Sequence, residues 1–372
     1  MSVPKDTLTE IITYINNYVH YKKIPGLAVG MTANGNTVFV KGFGVRQIND
    51  LYSRVNADTI FSIQSLTKSF TASALVHLAE HTDFNLDRPV IDYLPYFRTK
   101  SGAFHEITTR HILSHTAGFP EDVWVASLLD SAMMTFAKDM PEYRFLDEKF
   151  PDVEQFLTRF GSREDITRYF AEIDLSYIPG ESWAYCTDAY VIAADILEKV
   201  SGLSWEAYVA THILNPLDLS RTMVTPSFVA EEENIASYYL KTIDAPIETP
   251  LPKNAVGAPM GFMYSTIRDL LIYLQAHMKS DERIMSETSF AEMQTPFAKR
   301  KEGLSYGLGW KIMSKDGVKI VSHAGGYPGV SSFAAMIPDY QLGIVLLANT
   351  DSLRLETVAD KVMNMWLRKT HS

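Results

Sequence analysis

Ser65 and Lys68 place a hydroxyl and an amine three residues apart at the start of a stretch with helical periodicity. Residues three apart on a helix lie on one face, so the two side chains are expected to meet. A serine hydroxyl is a poor nucleophile at neutral pH unless a base takes its proton, and a partly desolvated lysine with a lowered pKa can be that base. The start of a helix adds backbone N–H groups that favour developing negative charge. The S-x-x-K tetrapeptide therefore predicts attack on a carbonyl, although alone it is also what a solvated helix face would show.

Three other groups of residues would imply a different chemistry. His111 and His115 are four apart, as metal ligands on a helix can be, but no Glu follows His111 as in H-E-x-x-H. Cys186 has no acid or His motif around it, and a lone Cys is usually a small buried residue. The segment Gly329 to Phe333 begins like a nucleophile elbow but lacks its final Gly, so it is expected to be a core strand. We expect no metal and no organic cofactor.

The elements that would position these residues begin with an amphipathic helix over residues 6–20, where apolar side chains recur at helical spacing. Two extended runs follow, Gly26 to Thr32 and Thr37 to Val45. Between them lie Asn34 and Gly35, and Asn-Gly between apolar runs is a strong hairpin signal because both residues tolerate positive φ angles. The chain is therefore expected to start with a helix and a two-stranded hairpin.

Helical periodicity runs from Ser65 through Glu80, and residues 85–221 carry helical patches separated by Pro and Gly. Strand character returns near the C-terminus, and a helix over Leu353 to Leu367 closes the chain. The late strands are expected at Gly307 to Ile312, Val318 to Ser322, Ser331 to Ile337 and Gly343 to Ala348.

Length and element order predict two lobes. At about 100 to 200 residues per domain, 372 residues suggest two units. The helix and hairpin at the front would join the late strands and the closing helix in one α/β lobe, formed by residues 1–84 and 255–372. Residues 85–254 would form a second, mostly helical lobe, and the active site would lie between the two.

Composition excludes several classes of partner. The formal charge is −10, the pI is near 5.5, and no run of Lys or Arg offers the basic stripe that nucleic acid requires. The longest apolar stretches are too short to cross a membrane, and one cysteine cannot form an internal disulfide. The N-terminal residues MSVPKDTLTE lack a secretory signal, so the protein is expected to be cytoplasmic, or secreted with its signal already removed.

Motifs along most of the chain resemble those of one family, that of class C β-lactamases, D-alanyl-D-alanine carboxypeptidases, D-aminopeptidases and related esterases. The resemblance runs from about Ile24 to Asn349, and many independent segments occur in the family's order. They are Phe61-Ser62-Ile63-Gln64-Ser65-Leu66-Thr67-Lys68, Asn85-Leu86-Asp87-Arg88-Pro89-Val90, Ile112-Leu113-Ser114-His115-Thr116-Ala117-Gly118-Phe119-Pro120, Pro179-Gly180 before Tyr185, Asn215-Pro216-Leu217-Asp218-Leu219, Tyr264-Ser265-Thr266 with Asp269-Leu270, Tyr306-Gly307-Leu308-Gly309-Trp310, and His323-Ala324-Gly325-Gly326.

This resemblance implies an α+β fold of the β-lactamase/transpeptidase type, an antiparallel sheet flanked by helices plus a mostly helical lobe. It also implies that Tyr185 is the second proton-transfer group, taking the Ser65 proton or returning one to the leaving group. A phenol can do so if positive neighbours favour its ionised form. The family's second motif is Tyr-x-Asn, and Thr187 departs from it. A Thr hydroxyl is shorter than the Asn amide, so substrate amide recognition and the tuning of Lys68 are expected to differ.

The family's third motif is Lys-Thr-Gly in many β-lactamases and stands here as His323-Ala324-Gly325. His occurs at this place among D-specific peptidases and esterases of the family, and His323 is expected to position substrate and tune Tyr185. The resemblance places the oxyanion hole at the backbone N–H groups of Ser65 and Gly326. It implies a substrate-binding set made of Gln64, Thr187, His323, Ala324 and Gly325.

The function implied by this resemblance is that of a serine hydrolase acting through an acyl-enzyme on an amide or ester. The expected substrate is a small molecule or short peptide, and a D-amino-acid peptidase, carboxypeptidase or esterase is favoured by His323 and Thr187. Three alternatives stay open: a true β-lactamase, an acyltransferase of the same fold, and a non-catalytic sensor of the penicillin-binding type. The oligomeric state is not indicated by the sequence.

Overall fold

A nine-stranded antiparallel sheet forms the centre of the molecule in a computed structural model that describes residues 5–138, 140, 152–225, 232–301 and 303–370. The strand order in the sheet is β3-β2-β1-β13-β12-β11-β10-β9-β8. Two small two-stranded ladders, β4 with β7 and β5 with β6, lie outside it. The strands are β1 Gly26–Ala33, β2 Asn36–Gln47, β3 Asp50–Arg54, β4 Phe61–Ser62, β5 Tyr238–Leu240, β6 Ile247–Thr249, β7 Tyr264–Ser265, β8 Ala298–Lys301, β9 Leu304–Tyr306, β10 Lys311–Lys315, β11 Val318–Tyr327, β12 Val330–Ile337 and β13 Leu342–Ala348.

Helices cover both faces of this sheet. The helices within the described residues are α1 Lys5–Lys22, α2 Thr67–His81, α3 Val90–Tyr93, α4 Thr109–Leu113, α5 Ser131–Ala137, α6 Val153–Leu157, α7 Arg163–Tyr169, α8 Ala189–Ser201, α9 Trp205–Val209, α10 Ala258–Gly261, α11 Ile267–Lys279, α12 Glu287–Met293 and α13 Leu355–Thr370. Short 3₁₀ turns include Gln64–Leu66 and Ala126–Leu129. No helix in these described ranges is long and apolar enough to cross a membrane.

Two apolar clusters hold the helices against the sheet. Strands β1, β12 and β13 are buried along their whole length because both of their faces are covered. On one face, α1 and α13 pack through side chains such as Ile15 and Val362. On the other face, α2 and α11 pack in a larger cluster that continues into the helical middle of the chain. The predicted α+β fold, an antiparallel sheet flanked by helices, is confirmed.

The front of the chain folds as its sequence pattern predicts. Helix α1 spans the predicted helix, and β1 and β2 form the predicted hairpin. Asn34 and Gly35 have φ angles of 49° and 73°. The Asn-Gly pair therefore supplies the left-handed backbone that a tight hairpin turn requires.

Two of the late strands differ from their predicted bounds. Residues 307–310 are a connection between β9 and β10 and not the start of one strand, since Gly309 adopts a φ of 73° that breaks an extended run. Strand β11 continues past Ser322 to Tyr327, because β12 supplies backbone partners as far as that residue. The edge strands β3 and β8 were not predicted, and their sequences lack a clear apolar alternation.

Most of the middle of the chain is helical, as predicted, but its last part lies against the sheet. The Ser237 N–H donates to the Arg46 carbonyl, and the Tyr239 N–H donates to the Asn349 carbonyl. Strands β5 and β6 therefore border the sheet although they fall within residues 85–254. The division into lobes at residues 84 and 254 stays a prediction.

Candidate active site

A strained turn presents Ser65 at the start of α2. Gln64, directly before it, adopts a φ of 46°, which is uncommon for a residue with a Cβ. The turn is held on both sides, since the Ile63 N–H donates to the Met263 carbonyl at 3.0 Å and Ser332 Oγ donates to the Ile63 carbonyl at 2.7 Å. Backbone strain that surrounding bonds hold in place is typical of functional positions. Ser65 itself is partly exposed.

Lys68 reaches Ser65, as the helical spacing predicts. Its Nζ lies 3.1 Å from Ser65 Oγ and 2.6 Å from the carbonyl oxygen of Met260 in α10. The side chain is fully buried, and this loss of water lowers the pKa of Lys68 to about 7. An amine with a pKa near 7 and its nitrogen on a serine hydroxyl can act as a general base, and this role of Lys68 stays a prediction.

Tyr185 completes a set of three side chains around the serine hydroxyl. The Ser65 side chain acts on the pKa of the Tyr185 phenol, and Lys68 Nζ lies 5.2 Å from the centre of its ring. Burial is the largest influence on the phenol and raises the pKa of Tyr185 above its ordinary value. In the resting structure desolvation therefore outweighs any influence that would favour the ionised phenol, and the part of Tyr185 in proton transfer stays a prediction. The phenol keeps its proton and suits the role of acid.

His323 lies beside this set, with both ring nitrogens bonded to protein groups. Nδ1 is 2.7 Å from the carbonyl oxygen of Ala324, and Nε2 is 2.8 Å from the hydroxyl of Tyr306. Burial, with a smaller contribution from Lys68, lowers the pKa of His323 to about 3. The ring is therefore neutral, and since a carbonyl only accepts, Nδ1 carries the proton and Nε2 accepts from Tyr306. Its ring centre is 6.3 Å from that of Tyr185, so a role in tuning Tyr185 stays a prediction.

The glycine-rich end of β11 runs beside the nucleophile. A Cβ on Gly325 would overlap Ser332 Oγ and lie 2.5 Å from the Ile63 carbonyl oxygen, so only glycine allows this close approach. A Cβ on Gly326 would meet no atom within 4 Å. The ladder between β10 and β11 ends at Ser322, whereas the β12 ladder continues to Tyr327. Beyond Ser322 the edge of β11 therefore has no β10 partner, and Ala324 and Gly326 on this part of the strand are exposed.

The remaining predicted binding residues differ in their exposure. Gln64 is buried, and its amide donates to Ser62 Oγ at 2.7 Å, so its side chain supports the turn. Thr187 is partly exposed, and its backbone carbonyl accepts the Tyr190 N–H. Contact of Gln64, Thr187, Ala324 or Gly325 with substrate, and the oxyanion hole at Ser65 and Gly326, stay predictions.

His111, Cys186 and Gly329, which could have implied a different chemistry, have structural roles. His111 accepts the Thr108 N–H and forms a capping box at the start of α4. Cys186 is buried, and burial raises the pKa of its thiol, which therefore stays protonated and unreactive. Gly329 lies in the turn before β12, and β12 is the predicted core strand.

Three residues near the site were not predicted as functional. Met260 contributes only its carbonyl oxygen, and Tyr306 was noted only as part of a motif. Asp188 is fully buried, and its carboxylate influences the pKa of Lys68. Its position three residues after Tyr185, at the start of an apolar helix, is the one signal in the sequence that could have identified it.

Comparison with known proteins connects this geometry to a family. The family model described as Beta-lactamase matches residues 11–363. Protein flp of Staphylococcus aureus (strain MW2) is 24% identical over 351 residues, which cover 93% of this chain and 64% of that protein. Penicillin-binding protein 4* of Bacillus subtilis (strain 168) is 25% identical over 332 residues, or 85% of this chain and 66% of that protein. The chain thus spans less than two thirds of the length of these relatives.

Solved structures share the fold over nearly the whole chain. An octameric penicillin-binding protein homologue from Pyrococcus abyssi superposes with a TM-score of 0.83 at 26% identity, covering 97% of this chain and 77% of that one. A D-stereospecific amidohydrolase from Streptomyces sp. superposes with a TM-score of 0.71 at 23% identity, covering 92% and 94%. These likenesses agree with the sheet and the flanking helices described above.

Proposed function

This chain belongs to the beta-lactamase family, and on that premise we propose that it is a serine hydrolase that forms an acyl-enzyme through Ser65. The favoured substrates are esters and amides of D-amino acids or short D-peptides. The observation that carries the proposal is the 3.1 Å contact between Ser65 Oγ and the fully buried Nζ of Lys68.

Acylation follows from the protonation states of the three side chains. With Lys68 neutral, one of its N–H groups donates to the Met260 carbonyl and its lone pair accepts the Ser65 hydroxyl proton. The Ser65 O–H bond breaks as the bond from Oγ to the substrate carbon forms, and the carbonyl electron pair moves onto the oxygen. Backbone N–H groups of Ser65 and Gly326 would hold that oxyanion.

The leaving group needs a proton, and Tyr185 is the protonated group beside Ser65. As the tetrahedral intermediate collapses, the phenol gives its proton to the departing oxygen or nitrogen. The Lys68 ammonium then returns a proton to Tyr185, so both groups regain their starting forms. In deacylation Lys68 takes a proton from water as the water oxygen bonds to the acyl carbon. The bond from that carbon to Ser65 Oγ then breaks, Tyr185 gives its proton to Oγ, and Lys68 returns a proton to Tyr185 as the acid is released.

His323 supports a preference for esters and D-amino-acid amides over β-lactams. The lysine found at this place in many β-lactamases is a cation, whereas burial keeps the His323 ring neutral by lowering its pKa to about 3. Both ring nitrogens are also bonded within the protein, to Ala324 and Tyr306. A neutral, occupied ring offers little attraction to the carboxylate of a penicillin. The D-stereospecific amidohydrolase among the structural neighbours is consistent with this preference.

Ser65→Ala and Lys68→Ala test the proposal. The parent and both variants are incubated with p-nitrophenyl esters, D-amino-acid amides and a penicillin, and intact-mass spectrometry records which adduct forms and how fast it clears. We expect an ester or amide adduct on the parent that clears within the assay, and no adduct on Ser65→Ala. Each substitution should lower ester turnover by at least about 10³-fold, since nucleophile and base act as one unit.

Other outcomes identify the alternatives. Turnover by Ser65→Ala at the parent rate would refute the proposal. A penicillin cleared faster than esters and D-amides would indicate a β-lactamase. An adduct that persists would indicate a sensor, and transfer of the acyl group to an added alcohol or amine in preference to water would indicate an acyltransferase.

A further inference from the structure

Asp188 is a buried carboxylate that lies in the chain between Tyr185 and Tyr190, whose ring centres are 5.2 and 5.5 Å from Lys68 Nζ. It lies at the start of α8, three residues after Tyr185, and its side chain is fully buried. An Asp at this position of a helix commonly caps its own backbone, but this one does not. Its Oδ2 accepts the N–H of Ala126 at 2.8 Å, at the start of the 3₁₀ turn Ala126–Leu129.

A chain of hydrogen bonds connects this carboxylate to the residue that holds Lys68. The Ala126 carbonyl accepts from the Asn254 amide at 2.6 Å, and Asn254 Oδ1 accepts the Gly257 N–H at 2.7 Å. Helix α10 follows directly, and its Met260 carbonyl accepts from Lys68. Asp188 is thus fixed in the same buried framework that sets the position of Lys68.

We propose that Asp188 is a positioning residue for Lys68, a buried carboxylate whose ionised form stabilises the lysine ammonium when Lys68 takes the serine proton. The proposal rests on the proposed function. Thr187 stands where the family has an Asn, and the proposal assigns the tuning of Lys68 to Asp188 instead. Oδ1 of Asp188 has no hydrogen-bond donor among the residues that the structure describes. A buried carboxylate oxygen without a donor is costly to ionise unless a cation lies nearby, and Lys68 supplies that cation.

The other titratable groups around Lys68 are neutral near pH 7. Burial raises the pKa values of Tyr185, Cys186 and Tyr190 and lowers that of His323. Asp188 differs from these four, because burial raises its pKa only to about 7 while Lys68 opposes that rise. Lys68 and Asp188 therefore titrate as a coupled pair, and each favours the charged form of the other.

Asp188→Asn removes the charge and keeps the shape and the acceptor for Ala126. Because the anion raises the pKa of Lys68, its loss lowers that pKa, and the acid limb of the pH profile of kcat/KM moves down by about one pH unit. The plateau above the limb should fall roughly three- to tenfold, because a weaker base removes the serine proton less readily. KM should change less than kcat.

Asp195→Asn is the matched control. Asp195 is a second buried carboxylate on α8, seven residues or about 10 Å along the helix, where Tyr96 and Thr167 donate to it. Each variant replaces one buried carboxyl group on the same helix. If Asp188 acts on Lys68, the acid limb of the kcat/KM profile moves in Asp188→Asn and stays in place in Asp195→Asn. Asp188→Glu, which restores the charge, should return the limb towards the parent position.

The outcomes separate this inference from the proposed function. A parent without Ser65-dependent ester turnover refutes the proposed function. An active parent whose acid limb stays in place in Asp188→Asn, or moves equally in Asp195→Asn, overturns the role of Asp188 alone. A thermal melt verifies folding of each variant. If Asp188→Asn does not fold, Asp188→Ser replaces it as a second uncharged and smaller polar variant.

Discussion

Lys68 and His277 are two buried basic side chains that the fold treats differently. Burial lowers the pKa of Lys68 to about 7 and that of His277 to about 3. Lys68 contacts Ser65 Oγ and the Met260 carbonyl, beside a partly exposed serine. The ring of His277 packs among aromatic side chains, and among the described residues neither of its nitrogens has a hydrogen-bond partner. Those aromatic neighbours are Tyr273, Phe290 and Trp310.

A shifted pKa therefore marks a functional residue only when partners and access accompany it. Desolvation acts on both groups, but only Lys68 contacts a hydroxyl with which it could exchange a proton, and only its pKa shift is opposed by a buried carboxyl group, that of Asp188. His277 is left with burial alone and behaves as a neutral core side chain. The predictions below test whether this difference in surroundings decides the difference in role.

The largest contrast is expected between Lys68→Met and His277→Leu. Lys68→Met fills the same space without an amine, so ester turnover should fall by at least about 10³-fold while the Tm stays within a few degrees of the parent. His277→Leu should leave turnover within about twofold of the parent. Steady-state kinetics with a p-nitrophenyl ester and thermal melts measure both. Activity lost equally in the two variants would mean that the pocket around His277 takes part in catalysis.

The next contrast compares the adjacent glycines of β11. In Gly325→Ala the new Cβ must displace the turn that carries Ser65, since it would meet Ser332 and Ile63, so kcat/KM should fall about 10²-fold. In Gly326→Ala the Cβ enters open space and the backbone N–H is retained, so the loss should be severalfold at most. Ester kinetics and thermal melts verify this. Equal losses in both would show that the spacing between Gly325 and the turn is unimportant.

The pH profile of the parent tests the state of Lys68. Turnover requires the neutral amine, so kcat/KM for a neutral ester should rise about tenfold per pH unit below the pKa of about 7 and level off above it. Initial rates in buffers of constant ionic strength between pH 5 and 9 provide the measurement. A limb below pH 5 would point to a carboxylate as the base, and a rise continuing to pH 10 would point to an ionised phenol.

The fold and the reacting pair were accessible from the sequence because they depend on local rules. Three-residue spacing on a helix brought Lys68 to Ser65, Asn-Gly placed the first hairpin turn, and the ordered motifs predicted the sheet. Tyr185 lies 120 residues after Ser65 in the chain, and it was assigned to the same site only because the family's second motif places a tyrosine there. Its side chain lies beside Lys68 in the structure, and its part in proton transfer stays a prediction.

The groups that the sequence did not reveal act through backbone atoms or through burial. Any residue could supply the carbonyl that Met260 offers to Lys68, so its identity carries no signal. The protonated state of Tyr185 depends on how much water the fold removes, which no local pattern encodes. Asp188 resembles an ordinary helix-capping Asp until its contact with Ala126 is known.

The smallest expected effect concerns His277, whose burial in the neutral form lowers the stability of the folded protein at acid pH. In the unfolded chain this histidine has its ordinary pKa of 6.5, whereas in the folded protein burial lowers its pKa to about 3. As the pH falls between these two values, the unfolded state binds a proton and the folded state does not. The free energy of unfolding therefore decreases through this pH range. His277→Leu removes that contribution, and the Tm lost between pH 7 and 4 should shrink by a few degrees. His20→Gln, an exposed change on α1, is the control and should leave the loss unchanged. Part of the loss should persist in His277→Leu, because burial also lowers the pKa values of His77 and His323. An undiminished loss would mean that His277 is protonated in the folded protein and has a partner that its aromatic surroundings do not provide.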